Sequence, residues 1–245
     1  MSFSYSPKIV TDGLVLYIDA ANPNSIISGE TIWNDLIESN NGTLTNGPTF
    51  DTNNGGSIVF DGSDDYIDFQ NNPSLLFLGT SPYTLSVWVN ITSTTNLFHG
   101  IINRESGVVR NGYNMWFFQN IDTIAIASER FAGTGQKVAF VLLPTNQCIN
   151  NWNQFTATFD GTNLKFYANG VFSNGMEATG NITNTTKTLE VGRRQSDYGN
   201  CKISNVKIYD KSLSSDEVLR NYNTLKGRFG LWVQWVGSIL STKMV

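Results

Sequence analysis

The segment Trp152-Asn153-Gln154-Phe155-Thr156-Ala157-Thr158-Phe159, the turn Asp160-Gly161-Thr162-Asn163 and the run Leu164-Lys165-Phe166-Tyr167-Ala168-Asn169-Gly170 constrain the fold more than any other stretch. Phe155, Ala157 and Phe159 alternate with Thr156 and Thr158, the period of a strand with one face in a core. Asp-Gly accepts the backbone angles of a tight turn, so the two runs predict an antiparallel hairpin in a half-buried sheet. A sheet of that kind has to bury its apolar face against a second layer.

Further strand signals lie at 14–19, 57–60, 66–69, 84–90, 100–104, 113–118, 123–128, 137–143, 188–192 and 202–209, separated by Gly, Asn, Asp and Pro turns. No helical period intervenes, which predicts an all-β, two-sheet antiparallel sandwich rather than alternating strands and helices. Its core is expected to hold Phe60, Leu85, Val87, Phe155, Ala157, Phe159 and Val206, together with Trp88 and Trp116. Residues 22–54 carry the turn clusters Asn40-Asn41-Gly42 and Asn46-Gly47-Pro48 and read as one long irregular crossing. One short C-terminal helix is expected against the sandwich edge. Ser214 caps it, Glu217 reaches back to complete a capping box, Val218, Leu219, Tyr222 and Leu225 form its apolar stripe, and Gly227 ends it.

The 245 residues suit one sandwich domain over 12–230, with a polar leader at 1–11 and an apolar tail at 231–245. Charged residues make up 15% of the chain, against roughly 25% in an average globular protein. Asn, Thr, Ser and Gly fill the polar positions instead, a composition that suits neutral partners such as sugars or other proteins. The net charge of -4 leaves no broad cationic surface to neutralise phosphates, so nucleic acid is not an expected partner. The first ten residues hold no apolar signal core, and synthesis in a cytoplasm without cleaved export is expected. The tail carries Trp232, Trp235, Ile239 and Leu240, but its apolar run is about half the ~20 residues of a spanning helix. Membrane insertion is therefore not expected. The strip suits association with another protein chain or, alternatively, folds back on its own domain. Cys148 and Cys201 make no disulfide framework; they are buried free thiols or one bridge.

The segments Asp12-Gly13-Leu14-Val15-Leu16-Tyr17-Ile18-Asp19-Ala20, Asn41-Gly42-Thr43-Leu44, Ser57-Ile58-Val59-Phe60-Asp61-Gly62 and Thr84-Leu85-Ser86-Val87-Trp88-Val89, in this order, resemble the laminin-G-like jelly-roll family. Lys202-Ile203-Ser204-Asn205-Val206-Lys207-Ile208-Tyr209-Asp210, followed by Leu213-Ser214-Ser215-Asp216-Glu217-Val218, completes the pattern. The family lies within the concanavalin-A-like lectin/glucanase superfamily, and the resemblance implies a jelly-roll binding module. The wording at 41–50 and 222–230 is similar to versions in virion proteins of tailed phages, notably those of marine and cyanobacterial hosts. It implies a virion component made in a host cytoplasm, either decorating the capsid or sitting on a tail or fibre, present in many copies and touching other virion proteins and cell-surface glycans. An extracellular or cell-surface location is the alternative, and a purely architectural subunit or a divergent glycoside hydrolase the alternative roles.

Retaining glycoside hydrolysis needs a nucleophile and an acid about 5 Å apart, and no Glu-x-Asp-x-Glu or Glu-x-Asp-x-x-Glu spacing supplies them on one strand. His99 is the lone histidine and has no Gly-x-Ser-x-Gly elbow beside it, so a loop role is expected for it and the chain reads as non-catalytic. No cofactor is required. Calcium would suit the acidic turn with Asp61, Asp64 and Asp65, near Asp68; the same carboxylates can equally cap backbone N–H groups. The loop 191–200 offers Arg194, Gln195, Asp197 and Tyr198 for hydrogen bonds and stacking with a glycan or a neighbouring subunit, or forms a plain polar turn. It resembles the loop from which pentraxins take calcium ligands, but Arg194 stands where the key glutamate is expected and Ser196 where a second acid is, so that metal site does not carry over. Trp152, at the start of its strand, is a further stacking candidate.

Overall fold

Each stretch with strand signals contains a strand. The structure is a computed structural model that describes residues 8–94, 98–106, 111–120, 122–132, 135–183 and 186–231. In chain order it runs through β1 (Leu14–Asp19), β2 (Ile32–Trp33), β3 (Gly42–Thr45), β4 (Thr49–Asp51), β5 (Ser57–Asp61) and β6 (Tyr66–Asp68). The long strands β7 (Tyr83–Ile91), β8 (Phe98–Ser106), β9 (Asn111–Asn120), β10 (Thr123–Ala132) and β11 (Gly135–Pro144) follow. After the one-turn helix α1 (Thr145–Cys148) come β12 (Trp152–Phe159), β13 (Asn163–Ala168) and β14 (Val171–Glu177). Then β15 (Glu190–Val191), β16 (Arg193–Arg194), β17 (Asp197–Tyr198), β18 (Asn200–Tyr209) and helix α2 (Ser215–Leu225) complete the order.

Two eight-stranded sheets face each other. The first has the order β14-β13-β12-β7-β18-β5-β4, with β1 also paired to β18; the second has the order β11-β10-β9-β8-β15-β6-β3-β2. The pairs within both sheets are antiparallel, and a two-stranded ladder of β16 and β17 stands apart. This is the jelly-roll sandwich expected from the sequence. Phe60, Leu85, Val87, Phe155, Ala157, Phe159 and Val206 are all at most 1% exposed between the sheets, where each large side chain contributes roughly 1.5–3 kcal/mol by leaving water. The founding hairpin forms with Phe155 opposite Ala168 and Phe159 opposite Leu164. Its turn is closed by the Asp160 carboxylate, which accepts from the N–H groups of Thr162 (3.0 Å) and Asn163 (2.7 Å).

Tertiary packing departs from the sequence reading in several places. Residues 22–54 are not one irregular crossing, because β2, β3 and β4 lie within them. Strands of two to four residues are too short to display alternation, and a partner defines them, as Ile67 of β6 does for Leu44 of β3. The edge strand β14 was missed for a related reason: its residues are mostly exposed and carry no apolar period. Thr156 and Thr158 are as buried as the phenylalanines beside them, so this sheet is covered on both faces.

Helix α2 supplies part of that cover. Its capping box forms as expected, Glu217 N–H donating to Ser214 Oγ and Ser214 N–H to Glu217 Oε2. Gly227 does not stop it; a 3-10 turn, Lys226–Phe229, continues to Gly230, whose φ of 73° is the left-handed conformation that ends a helix. The helix lies on the outer face of the first sheet rather than its edge, with Tyr222 and Phe229 stacked over Trp88 at 5.6 and 4.2 Å between ring centroids. Trp88 is thus buried outside the inter-sheet core, and Trp116 lies likewise on the outer face of the second sheet, edge-on to Phe98. Cys148 and Cys201 are free thiols, and burial pushes both up to about 12. Trp232, Trp235, Ile239 and Leu240 lie outside the described residues. Among those described, no helix is long and apolar enough to cross a membrane.

Candidate functional site

Between β15 and β18 the chain doubles back as the β16/β17 hairpin, which lies flat on β8. Two glycines permit the approach. A Cβ on Gly100 would stand 2.2 Å from the backbone of Arg193 and Arg194, and Gly192, at φ 86°, donates its N–H to the Ile101 carbonyl at 2.9 Å. The hairpin is also tied down by side chains. Arg193 pairs with Glu190 and lies 3.8 Å over the Tyr66 ring. His99 Nδ1 donates to the Tyr198 carbonyl at 2.8 Å while its ring stacks on Phe117.

Above β8 the hairpin forms one wall of a cleft of about 230 Å³. Ser196, Asp197 and Tyr198 line it from the hairpin, Gly62 and Ser63 from the β5–β6 turn, Ser93 and Thr94 from the chain after β7, Phe98 and His99 from β8, and Asn200 from β18. Asn200 braces the floor: its amide donates to the Asp61 carbonyl (3.1 Å) and its oxygen accepts from the Thr92 hydroxyl (2.5 Å). Hydroxyls, one carboxylate and two aromatic rings, Phe98 and Tyr198, converge on the cleft. That combination can hydrogen-bond and stack a sugar ring.

The structure divides the sequence candidates. Asp197 and Tyr198 line the cleft, whereas Gln195 occupies the exposed tip of the hairpin at φ 58° and does not. Arg194 does not line the cleft either. It is only 6% exposed, and its guanidinium turns into the sheet toward Glu129 (3.2 Å), Glu105 (3.7 Å) and Asp197 (3.9 Å). Trp152 is remote from the cleft, on the first sheet, with its indole N–H on Asn54 Oδ1 (3.2 Å) and its ring against Phe229. His99 belongs to a strand, not a loop.

Asp61, Asp64 and Asp65 do converge, with one oxygen of each within 4.8 Å of the others, while Asp68 is not among them. Part of that acidity serves the turn itself, since Asp65 accepts from Asp61 N–H and Asp61 from Ser63 N–H. Desolvation raises the Asp65 carboxyl, and its acidic neighbours act in the same direction. Three such carboxylates supply only part of the six to eight oxygens calcium takes.

One constellation escaped the sequence reading. Glu105 on β8 and Glu129 on β10 flank Asn114 on β9, whose single –NH2 donates to both at 3.1 and 3.2 Å. No spacing rule could find them, because antiparallel pairing across three strands brings them together. Retaining glycosidases also hold two carboxyl groups near each other, about 5 Å apart, so the pair invites comparison. An acid catalyst must carry a proton and reach the glycosidic oxygen; these two carboxylates are sealed from solvent and share one guanidinium. The arrangement is an ion-pair anchor. Ser63, Ser93, Thr94 and Phe98 were also missed, since nothing local marks a loop hydroxyl or a strand-end phenylalanine as part of a cleft.

Residues 61–219 match the laminin G-like family described as the concanavalin A-like lectin/glucanases superfamily. Among solved structures, the binding domain of Paraclostridial Mosquitocidal Protein 1 superposes with a TM-score of 0.67 at 16% identity, over 86% of this chain and 52% of that one. The binding domain of botulinum neurotoxin DC, solved in complex with rat synaptotagmin II, gives 0.66 at 15% identity, over 87% and 52%. The botulinum neurotoxin serotype D ligand-binding domain, in complex with N-acetylneuraminic acid, gives 0.64 at 16%, over 86% and 50%. The chain spans about half the length of each, and at these identities the likeness is one of fold. No curated protein sequence matches the chain.

Proposed function

Because this chain belongs to the concanavalin A-like lectin/glucanases superfamily, we propose that it is a non-catalytic binding module whose cleft beside the β16/β17 hairpin takes a neutral glycan. The observation that carries this reading is the cleft itself, where Ser63, Ser93, Thr94, Ser196 and Asp197 offer polar groups around the Phe98 and Tyr198 rings. Gly62 and Ser63 of its lining stand between Asp61 and Asp64, and Asp197 lines it directly, so a sugar acid would meet like charge while a neutral sugar would not. A few hydrogen bonds and one stacked ring make a weak single site, which repeated copies on a particle would raise by avidity. The setting we favour is the surface of a tailed-phage virion, on capsid, tail or fibre, supported by the wording at 41–50 and 222–230.

The test is a glycan array that includes neutral and sialylated structures. Binding is expected on neutral glycans, and Asp197→Asn or Tyr198→Ala is expected to weaken it about tenfold, the effect of one lost charged hydrogen bond or stacking face. Binding confined to sialylated glycans, or unaffected by both changes, overturns the assignment. Release of reducing ends from a polysaccharide would overturn the non-catalytic part.

A second reading has its own support. Phe140, Leu142, Val171 and Phe172 are exposed where β11 and β14 meet, with Ser173 Oγ donating to the Phe140 carbonyl. An apolar surface of this kind suits a purely architectural subunit that touches only other structural proteins; such a subunit would bind no glycan on the array.

A further inference from the structure

The β16/β17 hairpin is too short to hold its own shape. Its ladder comprises only Arg193 opposite Tyr198 and Arg194 opposite Asp197, and an isolated two-stranded unit is marginal in water even when longer. The cleft wall must therefore be ordered from below. We infer that Arg194 is a positioning residue for the glycan cleft, a latch that fixes Asp197 and Tyr198 by plugging its guanidinium into the Glu105–Glu129 pair; the inference rests on the cleft being the ligand site.

Four observations converge on it. Arg194 is buried, an uncommon placement for a hairpin arginine, and both its acidic partners are buried with it. Those partners sit on β8 and β10, and Asn114 of the intervening β9 donates to both, so one side chain ties the hairpin across three strands. Gln136 of β11 donates to the second oxygen of Glu129 at 2.8 Å and extends the tie to a fourth strand. On its other side the guanidinium lies 3.9 Å from Asp197, the carboxylate in the cleft wall. A buried ion pair is a poor source of net stability, because desolvation offsets most of its attraction; what it enforces is one geometry. The sheet thus dictates where Asp197 and Tyr198 stand.

Hydrogen–deuterium exchange of the intact chain tests the latch without any ligand. In Arg194→Gln the amides of 193–199 are expected to exchange about tenfold faster, while the β7 and β12 amides keep their protection. Glu129→Gln, which alters neither hairpin nor cleft, is expected to do the same, and Arg194→Lys to recover part of the protection. Glycan binding should fall in the same order, whereas Tyr198→Ala, which leaves the Arg194 ion pairs in place, should weaken binding about tenfold with exchange unchanged. If Arg194→Gln loosens the whole domain, Glu129→Gln and Arg194→Lys still decide between local and global effects. Hairpin protection unchanged in Arg194→Gln and Glu129→Gln overturns the latch. Protection lost in a protein that binds no glycan leaves the latch standing and removes the glycan reading instead.

Discussion

Lys207 is the residue whose sequence context says least about its situation. It reads as a polar position alternating with Val206 and Ile208, yet it is completely buried on the outer face of the first sheet. Its Nζ donates to Asn205 Oδ1 at 2.7 Å and lies 4.7 Å from the Tyr17 ring centroid, beside the Asp19–Arg228 ion pair. Desolvation lowers its pKa from 10.5 to about 8; Asp19 opposes the shift and Arg228 adds to it. Between those two pH values the unfolded chain binds the extra proton, so stability is expected to rise with pH from about 8 toward 10, the penalty being fully present below 8. Replacing Lys207 with Met should raise stability at pH 7 by about 2 kcal/mol and flatten that rise. Urea unfolding of both proteins from pH 7 to 10 checks it; a variant less stable at pH 7 with the slope intact would refute the assignment.

Among elements, α2 shows how far local rules reach. Its N-terminus was legible because Ser214 and Glu217 stand three apart and satisfy each other's backbone, a purely local transaction. Its C-terminus and its seat were not, since Gly227 stops the chain only if no further turn finds contacts, and Phe229 finds them on Trp88 and Trp152. Ser214→Ala is expected to destabilise the domain by about 1 kcal/mol without altering glycan binding, because α2 covers the first sheet and the cleft lies beside the second. Thermal unfolding alongside the array reads both effects, and a loss of binding at unchanged stability would contradict that separation. The β16/β17 hairpin is the opposite case. Its side chains stand out in the sequence as a group, but which of them line the cleft and which face the sheet depended on Gly100 admitting the backbone.

At the scale of the whole molecule, the sandwich has a cleft at one end and a covered face. The loops around Gly62, Thr94 and Tyr198 gather at one end of the second sheet, while α2 and the turn after it cover the first. The tail over 231–245 is proposed to associate with another protein chain. Deleting it is expected to lower the molar mass measured by light scattering and leave the array pattern intact; an unchanged mass would point to the strip folding back on its own domain.

By itself the sequence determined the class of fold, most of the long strands, the aliphatic and phenylalanine residues named for the core and the start of the one substantial helix. Each of these follows from periodicity or from hydrogen bonds within a few residues, so a linear reading contains the information. Only the tertiary structure decided that Glu105, Glu129 and Asn114 form one cluster, that Arg194 points inward while Tyr198 borders a cleft, and that Trp88 lies beneath a helix rather than between the sheets. The physical reason is common to all three. Antiparallel pairing and sheet coverage place residues together by strand order, and strand order depends on how the whole apolar surface is buried at once.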